Sequence, residues 1–137
     1  MGFKFERLEV WQLALEYSDR IYFLSAQLPR DEEYNLKSQI RRAATSIALN
    51  IAEGSTSQTD AEQRRFVGMA IRSLVETIAC LHLINRHTKP ADVQALRNAY
   101  RDGEKLFAKL QAFHHTLSKT QIREDSPTYE IDNPLPF

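Results

Sequence analysis

The fold is decided by residues 66–84, which read FVGMAIRSLVETIACLHLI. This stretch holds two charged side chains, Arg72 and Glu76, which lie four residues apart on nearly the same helix face and can pair. The apolar side chains cover almost every other direction at about 100° per residue, and they are Met69, Ile71, Leu74, Val75, Ile78, Ala79, Cys80, Leu81 and Leu83. A helix that is apolar nearly all round is normally buried nearly all round. Each helix of a four-helix monomer keeps a solvent side, so this excess favours an oligomer over scattered exposed apolar residues.

Four helices account for most of the chain, and no segment has the alternation of a strand. The helices are predicted over residues 8–28, 33–53, 60–87 and 90–118. Thr59 and Glu62 have the spacing of a capping box, and Pro90 lies in the first turn of the last helix, where its missing N–H costs little. The pattern therefore predicts an all-α domain over residues 1–118. It is followed by an extended or disordered tail over residues 119–137, which is acidic and contains prolines.

Composition points to one domain in a reducing compartment. The chain has 137 residues and one cysteine, Cys80, so it forms no internal disulfide and we expect it in the cytoplasm. No uncharged apolar run is long enough to span a membrane, so no membrane partner is expected. The formal net charge is zero, but the charges are unevenly distributed. Residues 124–137 hold four acids and no base, which leaves residues 1–123 with eighteen basic and fourteen acidic side chains. Such an asymmetry is typical of an interaction tail, or of a tail that folds back on its own body.

No pattern of a metal, cofactor or catalytic site is visible. A di-iron bundle needs Glu-x-x-His pairs, but no histidine lies three residues beyond Glu53, Glu62, Glu76 or Glu104. The four glycines are isolated, so there is no phosphate-binding loop. Cys80 lies in an apolar helix, where its thiol is suppressed rather than activated. We therefore expect no catalytic residue, no bound metal, no cofactor and no enzymatic activity.

The last helix carries a slanted ridge of like charge. The ridge consists of Arg97, Arg101, Lys105 and Lys109. Like charges four residues apart repel, so the ridge indicates a role beyond stability. One such role is sequence-independent, salt-sensitive binding to RNA or DNA phosphates. The alternative is a solvated face that the acidic tail partly neutralises.

A second apolar excess lies on the first helix, whose apolar arc is roughly 200° wide. Leu49 points away from the core side of the second helix. These observations define the candidates for an oligomer interface, which are Leu49, Ile71, Val75, Leu83, Tyr17 and Leu24. In the tail, Leu135 and Phe137 are the candidate anchors on the same or a neighbouring subunit, with the acids near basic residues of the body.

Three segments carry a family resemblance. They are FERLEVWQLA at residues 5–14, the pair Leu28-Pro29, and LKSQIRRAATSIALNIAEG at residues 36–54. Over residues 3–118 the chain resembles the small four-helix-bundle family that is encoded in intervening sequences of bacterial 23S ribosomal RNA genes. The resemblance implies an antiparallel up-down-up-down bundle that assembles as a ring of five. Most members have no assigned biochemical role.

The resemblance also carries motif positions over to this chain. They are Gln39, Arg41, Arg42, Ser46, Asn50, Glu53, Gly54 and Glu76. A structural role is expected for them: Arg41 or Arg42 meets Glu53 or Glu76, Asn50 caps or crosses helices, and Gly54 stops the second helix. A related branch, the accessory variability determinant of diversity-generating retroelements, binds a reverse transcriptase and nucleic acid through a strongly basic barrel. This chain lacks that basic character, and it has Arg72-Ser73 where the family often has Gly-Ser.

Two functions are therefore expected as alternatives. The first is a self-assembling, ring-forming bundle that acts as a scaffold or interaction protein; it is a homo-oligomer, and the resemblance implies a pentamer. The second is an accessory protein that binds nucleic acid. The distribution of the body's positive charge in the assembly distinguishes them.

Overall fold

The chain folds as a bundle of four helices. The computed structural model describes residues 2–32, 35–88, 92–118 and 135–137. Its helices are α1 (Glu9–Ser25), α2 (Leu36–Gly54), α3 (Asp60–His87) and α4 (Val93–Thr116), with short 3-10 turns at Lys4–Arg7 and Arg30–Glu32. Both α1 and α3 pack between α2 and α4. Within the described ranges there is no strand, so the predicted all-α, up-down-up-down bundle is confirmed.

Side-chain caps set where α3 and α4 begin. The Thr59 hydroxyl accepts a hydrogen bond from the Glu62 amide at 3.1 Å, which confirms the cap that the sequence predicts. The Asp92 carboxylate accepts one from the Ala95 amide at 3.0 Å, so α4 begins after Asp92. The predicted earlier start at Pro90 lies outside the described residues, as do residues 33 and 34 of the second predicted helix.

The first helix is shorter than predicted. It ends at Ser25, and the chain then turns through hydrogen bonds from Gln27 to Leu24 and from Leu28 to Ser25, each 3.1 Å. The physical reason is Pro29, because a residue that precedes proline is disfavoured in the α conformation.

Gly54 is the last residue of α2. The next residue, Ser55, keeps right-handed helical angles (φ −68°, ψ −14°), so no left-handed stop is formed. A Cβ atom on Gly54 would instead lie 2.8 Å from the Cβ of Phe66 on α3. Glycine is therefore needed here because the end of α2 lies directly against α3.

The core also holds a buried polar link. The Tyr17 hydroxyl lies 2.6 Å from the Thr77 hydroxyl, which donates in turn to the Leu74 carbonyl at 2.6 Å. Since Thr77 has one proton to give, Tyr17 is the donor in the first bond. Burial raises the pKa of Tyr17 well above its usual value. Gly103 of α4 lies over this phenol, and a Cβ there would come within 3.2 Å of the Tyr17 hydroxyl.

Within one chain α3 is not buried all round. Its most apolar 18 residues have a mean hydropathy of 1.6, enough in length and composition to cross a membrane, yet 39% of that stretch is buried. One stripe packs between α2 and α4, as expected for a core helix of a bundle. The opposite face leaves Met69, Val75 and Leu83 exposed. The predicted Arg72–Glu76 pair is not among the ion pairs of the described residues, and Glu76 accepts from Gln39 instead.

Candidate functional site

The positive ridge lies on one exposed face of α4, and two of its four cations already have partners. Arg97 Nε donates to the Phe137 carbonyl at 2.8 Å. Lys109 Nζ lies 3.4 Å from a carboxylate oxygen of Glu9. Arg101 and Lys105 are exposed between them. The ridge therefore exists as predicted, but a polyanion would compete with protein groups at both of its ends.

The motif residues connect α2 to α3 through polar side chains. Gln39 Nε2 donates to Glu76 Oε2 at 2.8 Å. Asn50 Nδ2 donates to the Ser46 carbonyl at 2.8 Å, and Ser73 Oγ on α3 donates to Ser46 Oγ at 2.9 Å. Asn50 thus bonds within its own helix, while Ser46 makes the crossing. These bonds support a structural role for this part of the motif.

The two motif arginines bind other partners than predicted. Arg41 Nε donates to Ser25 Oγ at 2.7 Å, and its guanidinium lies 4.5 Å from the centre of the Tyr22 ring. Arg42 donates to Ser38 within α2 at 3.4 Å. The predicted ion pairs with Glu53 or Glu76 are therefore wrong. Arg41 points toward the last turn of α1, where it also donates at 3.4 Å to the Tyr22 carbonyl, which accepts from the Ala26 amide as well.

A shallow groove of about 410 Å³ runs along α2 beside the end of α1. Its lining contains most of the motif and is formed by Tyr22, Arg41, Arg42, Thr45, Ser46, Leu49, Asn50 and Glu53. Leu49 is the most exposed apolar residue of α2, with 52% of its surface open to solvent. The groove is thus a mixed surface with an apolar side chain among charges of both signs.

The interface candidates divide into two groups. Val75 is 52% exposed and Leu83 is 43% exposed, so both are available to a partner, and Ile71 is partly buried. Tyr17 and Leu24 are 1% and 2% exposed, so their prediction as interface residues is wrong because they fill the core of their own chain. Six further large apolar residues of the described ranges are exposed and were not predicted as interface residues: Phe3, Leu15, Tyr22, Phe23, Met69 and Val93.

The segment 135–137 lies on the bundle. The Phe137 ring packs edge-on against His82 of α3, at 5.2 Å between centroids, and against Tyr100 of α4, at 5.4 Å. Phe137 therefore anchors on its own chain, one of the two predicted alternatives. The four tail acids lie outside the described residues.

The pKa values of one thiol on α3 and one imidazole on α4 are shifted. The Cys80 thiol is buried, and burial, with a smaller contribution from the charge of Glu76, raises its pKa to about 11. The imidazole pKa of His114 is lowered, first by burial and then by the nearby Arg64 and His115. In the described part of the chain no three His, Cys, Asp or Glu side chains are grouped to hold a metal ion.

The fold defines a four-helix-bundle protein, and the outer faces of its helices carry exposed apolar and charged side chains. Its family is also clear. The family described as 23S rRNA-intervening sequence protein matches residues 6–112, most of the bundle, and the chain belongs to this family.

A solved structure shares the fold. It is a protein of unknown function from the S23 ribosomal protein family of Bacteroides thetaiotaomicron VPI-5482, with a TM-score of 0.69 and 25% sequence identity. The similarity covers 77% of this chain and 97% of that one. No curated protein matches the sequence.

Proposed function

We propose that this protein is a non-enzymatic scaffold or interaction protein that assembles with further copies of itself through the outer faces of α2 and α3. The observation that carries the proposal is on α3, whose most apolar 18 residues are only 39% buried in one chain. Met69, Val75 and Leu83 are exposed on this helix, and neighbouring exposed apolar side chains are typical of a surface that a partner covers.

The two helices present their exposed apolar residues side by side. The Ser46–Ser73 hydrogen bond sets the register between α2 and α3. Leu49 lies about one turn after Ser46 and Met69 about one turn before Ser73, so on antiparallel helices both lie at the same level. Apolar surface therefore continues from one helix to the other.

The charges around this surface favour a second copy as the occupant. Arg42 and Glu53 on α2, and Arg72 and Glu76 on α3, are all exposed and bring both signs to the same face. A face that carries both signs next to apolar side chains is complementary to itself, as an interface between identical subunits requires. A strongly basic or acidic ligand would meet repulsion from half of these groups.

The number of subunits and the cellular compartment are proposed from other observations. A ring of five subunits is what the family resemblance implies. The free thiol of Cys80 is compatible with a reducing cytoplasm. No cofactor, metal or membrane is part of the proposal.

Light scattering on the purified chain tests the assembly. We expect a mass of about five times the 15.8 kDa of one chain. A double variant, Val75→Glu with Leu83→Glu, should shift the mass toward the monomer because it places carboxylates in the apolar contact. The matched control is Val93→Glu. Val93 is also exposed, by 41%, but it lies at the start of α4, where a carboxylate interacts favourably with the helix dipole.

The outcomes separate clearly. A wild-type monomer would contradict the proposal, whereas a dimer would contradict only the number five. Equal effects of the α3 variant and the Val93 control would remove α3 from the interface. Circular dichroism of both variants shows whether the helices remain.

A second candidate function is sequence-independent binding of nucleic acid along α4. Its support is the exposed ridge, of which Arg101 and Lys105 form the central part. Single-stranded RNA and duplex DNA would be titrated at about 50 and 200 mM salt, and binding should fall steeply with salt. The variant Arg101→Glu with Lys105→Glu should abolish binding. Absence of binding at the lower salt, or binding that survives in the variant, would exclude this site.

A further inference from the structure

Three aromatic rings meet at one end of the bundle. The rings of His82 and Tyr100 lie 6.3 Å apart, and Phe137 packs against both at interplanar angles of 66° and 85°. Edge-to-face contacts at these separations are the favoured geometry for aromatic pairs. The α3–α4 seam thus offers a place for an aromatic side chain from a third segment, here called the aromatic cleft.

The same cleft also holds the backbone of Phe137. Arg97 lies one turn before Tyr100 on α4, and its Nε atom donates to the Phe137 carbonyl at 2.8 Å. The Phe137 ring in turn packs on the hydrophobic core. Ring and carbonyl of one residue are therefore recognised together, by two aromatic side chains and one guanidinium.

We propose that the aromatic cleft, formed by His82, Arg97 and Tyr100, is a binding site for an extended Pro-Phe peptide segment. Its occupant is the segment 135–137 of the same chain. While the segment is bound in the cleft, neither the segment nor Arg97 is available to other partners.

The length of the chain permits this occupant. Tyr100 lies about 27 Å along the bundle from Ser118, at 1.5 Å per helical residue. Sixteen residues separate Ser118 from Leu135, and a chain of that length spans at most roughly 55 Å. The segment can therefore reach the cleft of its own subunit without strain.

Tethering favours the segment over the same peptide free in solution. A covalent connection of sixteen residues gives an effective concentration of about a millimolar. A cleft that binds the free peptide with a Kd of about 100 µM would thus be occupied in roughly nine of ten molecules. Occupation also withdraws Arg97 from the α4 ridge.

Fluorescence polarisation on the full chain tests the proposal. The probe is a labelled peptide with the sequence of residues 131–137, IDNPLPF, and the receptor is the variant Phe137→Ala, whose own segment has lost its ring. We expect the probe to bind this variant about tenfold more tightly than it binds wild type, because the tethered segment no longer competes. The control peptide IDNPLPA should bind neither.

A second substitution locates the site. His82→Ala removes one aromatic wall from an exposed position, so it leaves the core intact. Added to Phe137→Ala, it should weaken probe binding severalfold. An equal substitution outside the cleft, His87→Ala, should leave probe binding unchanged.

Three results would overturn the proposal. Failure of the probe to bind Phe137→Ala up to about 1 mM would exclude the site, because the tether could not then compensate. Equal binding to wild type and variant would show that the segment does not occupy the cleft. A loss of oligomer mass on Phe137→Ala would show that the segment is supplied by another copy.

Discussion

The Tyr17 hydroxyl donates a hydrogen bond to the Thr77 hydroxyl at 2.6 Å, and this bond joins α1 to α3 across the centre of the bundle. The two helices otherwise pack mainly on α2 and α4. Both side chains are fully buried. The bond therefore links diagonal helices where water cannot replace either partner.

Thr77→Val should destabilise the protein by about 1–3 kcal/mol, because it leaves the buried Tyr17 hydroxyl without an acceptor. Denaturant unfolding measures the effect. Adding Tyr17→Phe should recover part of the loss, since both polar groups are then gone. Additive losses in the double variant would contradict the role of this bond.

Gly103 on α4 and Gly68 on α3 should respond to alanine in opposite directions. An added Cβ at Gly103 would lie 2.7 Å from Ile78 Cδ1, whereas at Gly68 the nearest atom is 3.9 Å away. We expect Gly103→Ala to cost about 1–3 kcal/mol through overpacking. Gly68→Ala should gain about 0.5–1 kcal/mol from helix propensity.

Thermal unfolding of the two glycine variants provides the comparison. Because both residues lie inside helices, propensity alone predicts the same sign for each. A stabilised Gly103→Ala would mean that α4 is not held against Tyr17 and Ile78 as the structure has it.

Removal of the N-caps should weaken α3 and α4 separately. Thr59→Ala and Asp92→Ala each delete a side chain that accepts from a first-turn amide. Each should lower the free energy of unfolding by about 1 kcal/mol. Thr59→Asp is the matched control and should retain the stability, since aspartate is also a favourable N-cap.

Stability should fall in alkaline solution through Cys80. Burial raises the pKa of this thiol from its ordinary value of 9.0 to about 11, so the folded state favours the neutral thiol. The contribution is complete below pH 9 and is lost as the pH rises through 11. Urea midpoints from pH 8 to 11 should decline, and less steeply in Cys80→Ala. A Cys80→Ala profile parallel to wild type would contradict this assignment.

Much of the fold follows from local patterns. The cap at Thr59 is readable because it uses a partner three residues away. The outward direction of Leu49 is readable because the core residues of α2, such as Ile40 and Ile47, lie on the opposite side of the same helix. Both inferences need only one helix.

The wrong predictions concern side chains whose surroundings depend on a second helix. The wide apolar arc of α1 does not say which part faces α2, α4 or solvent, so it does not reveal that Tyr17 and Leu24 fill the core rather than an interface. Arg41 has a long side chain, so the sequence of α2 alone does not determine its partner. Its actual partners on α1, Ser25 and the Tyr22 carbonyl, depend on where α1 ends. The binding position of Phe137 likewise depends on side chains from two helices, α3 and α4.

The Ser46–Ser73 contact has a kinetic consequence, because it joins residues only 27 apart in the chain. The Arg20–Asp102 pair, which joins α1 to α4, spans 82 residues. Closing the shorter loop costs less chain entropy, so the α2–α3 hairpin is expected to form in the folding transition state before α1 and α4 meet. Substitutions such as Ser73→Ala should then slow folding, whereas Asp102→Ala should mainly speed unfolding.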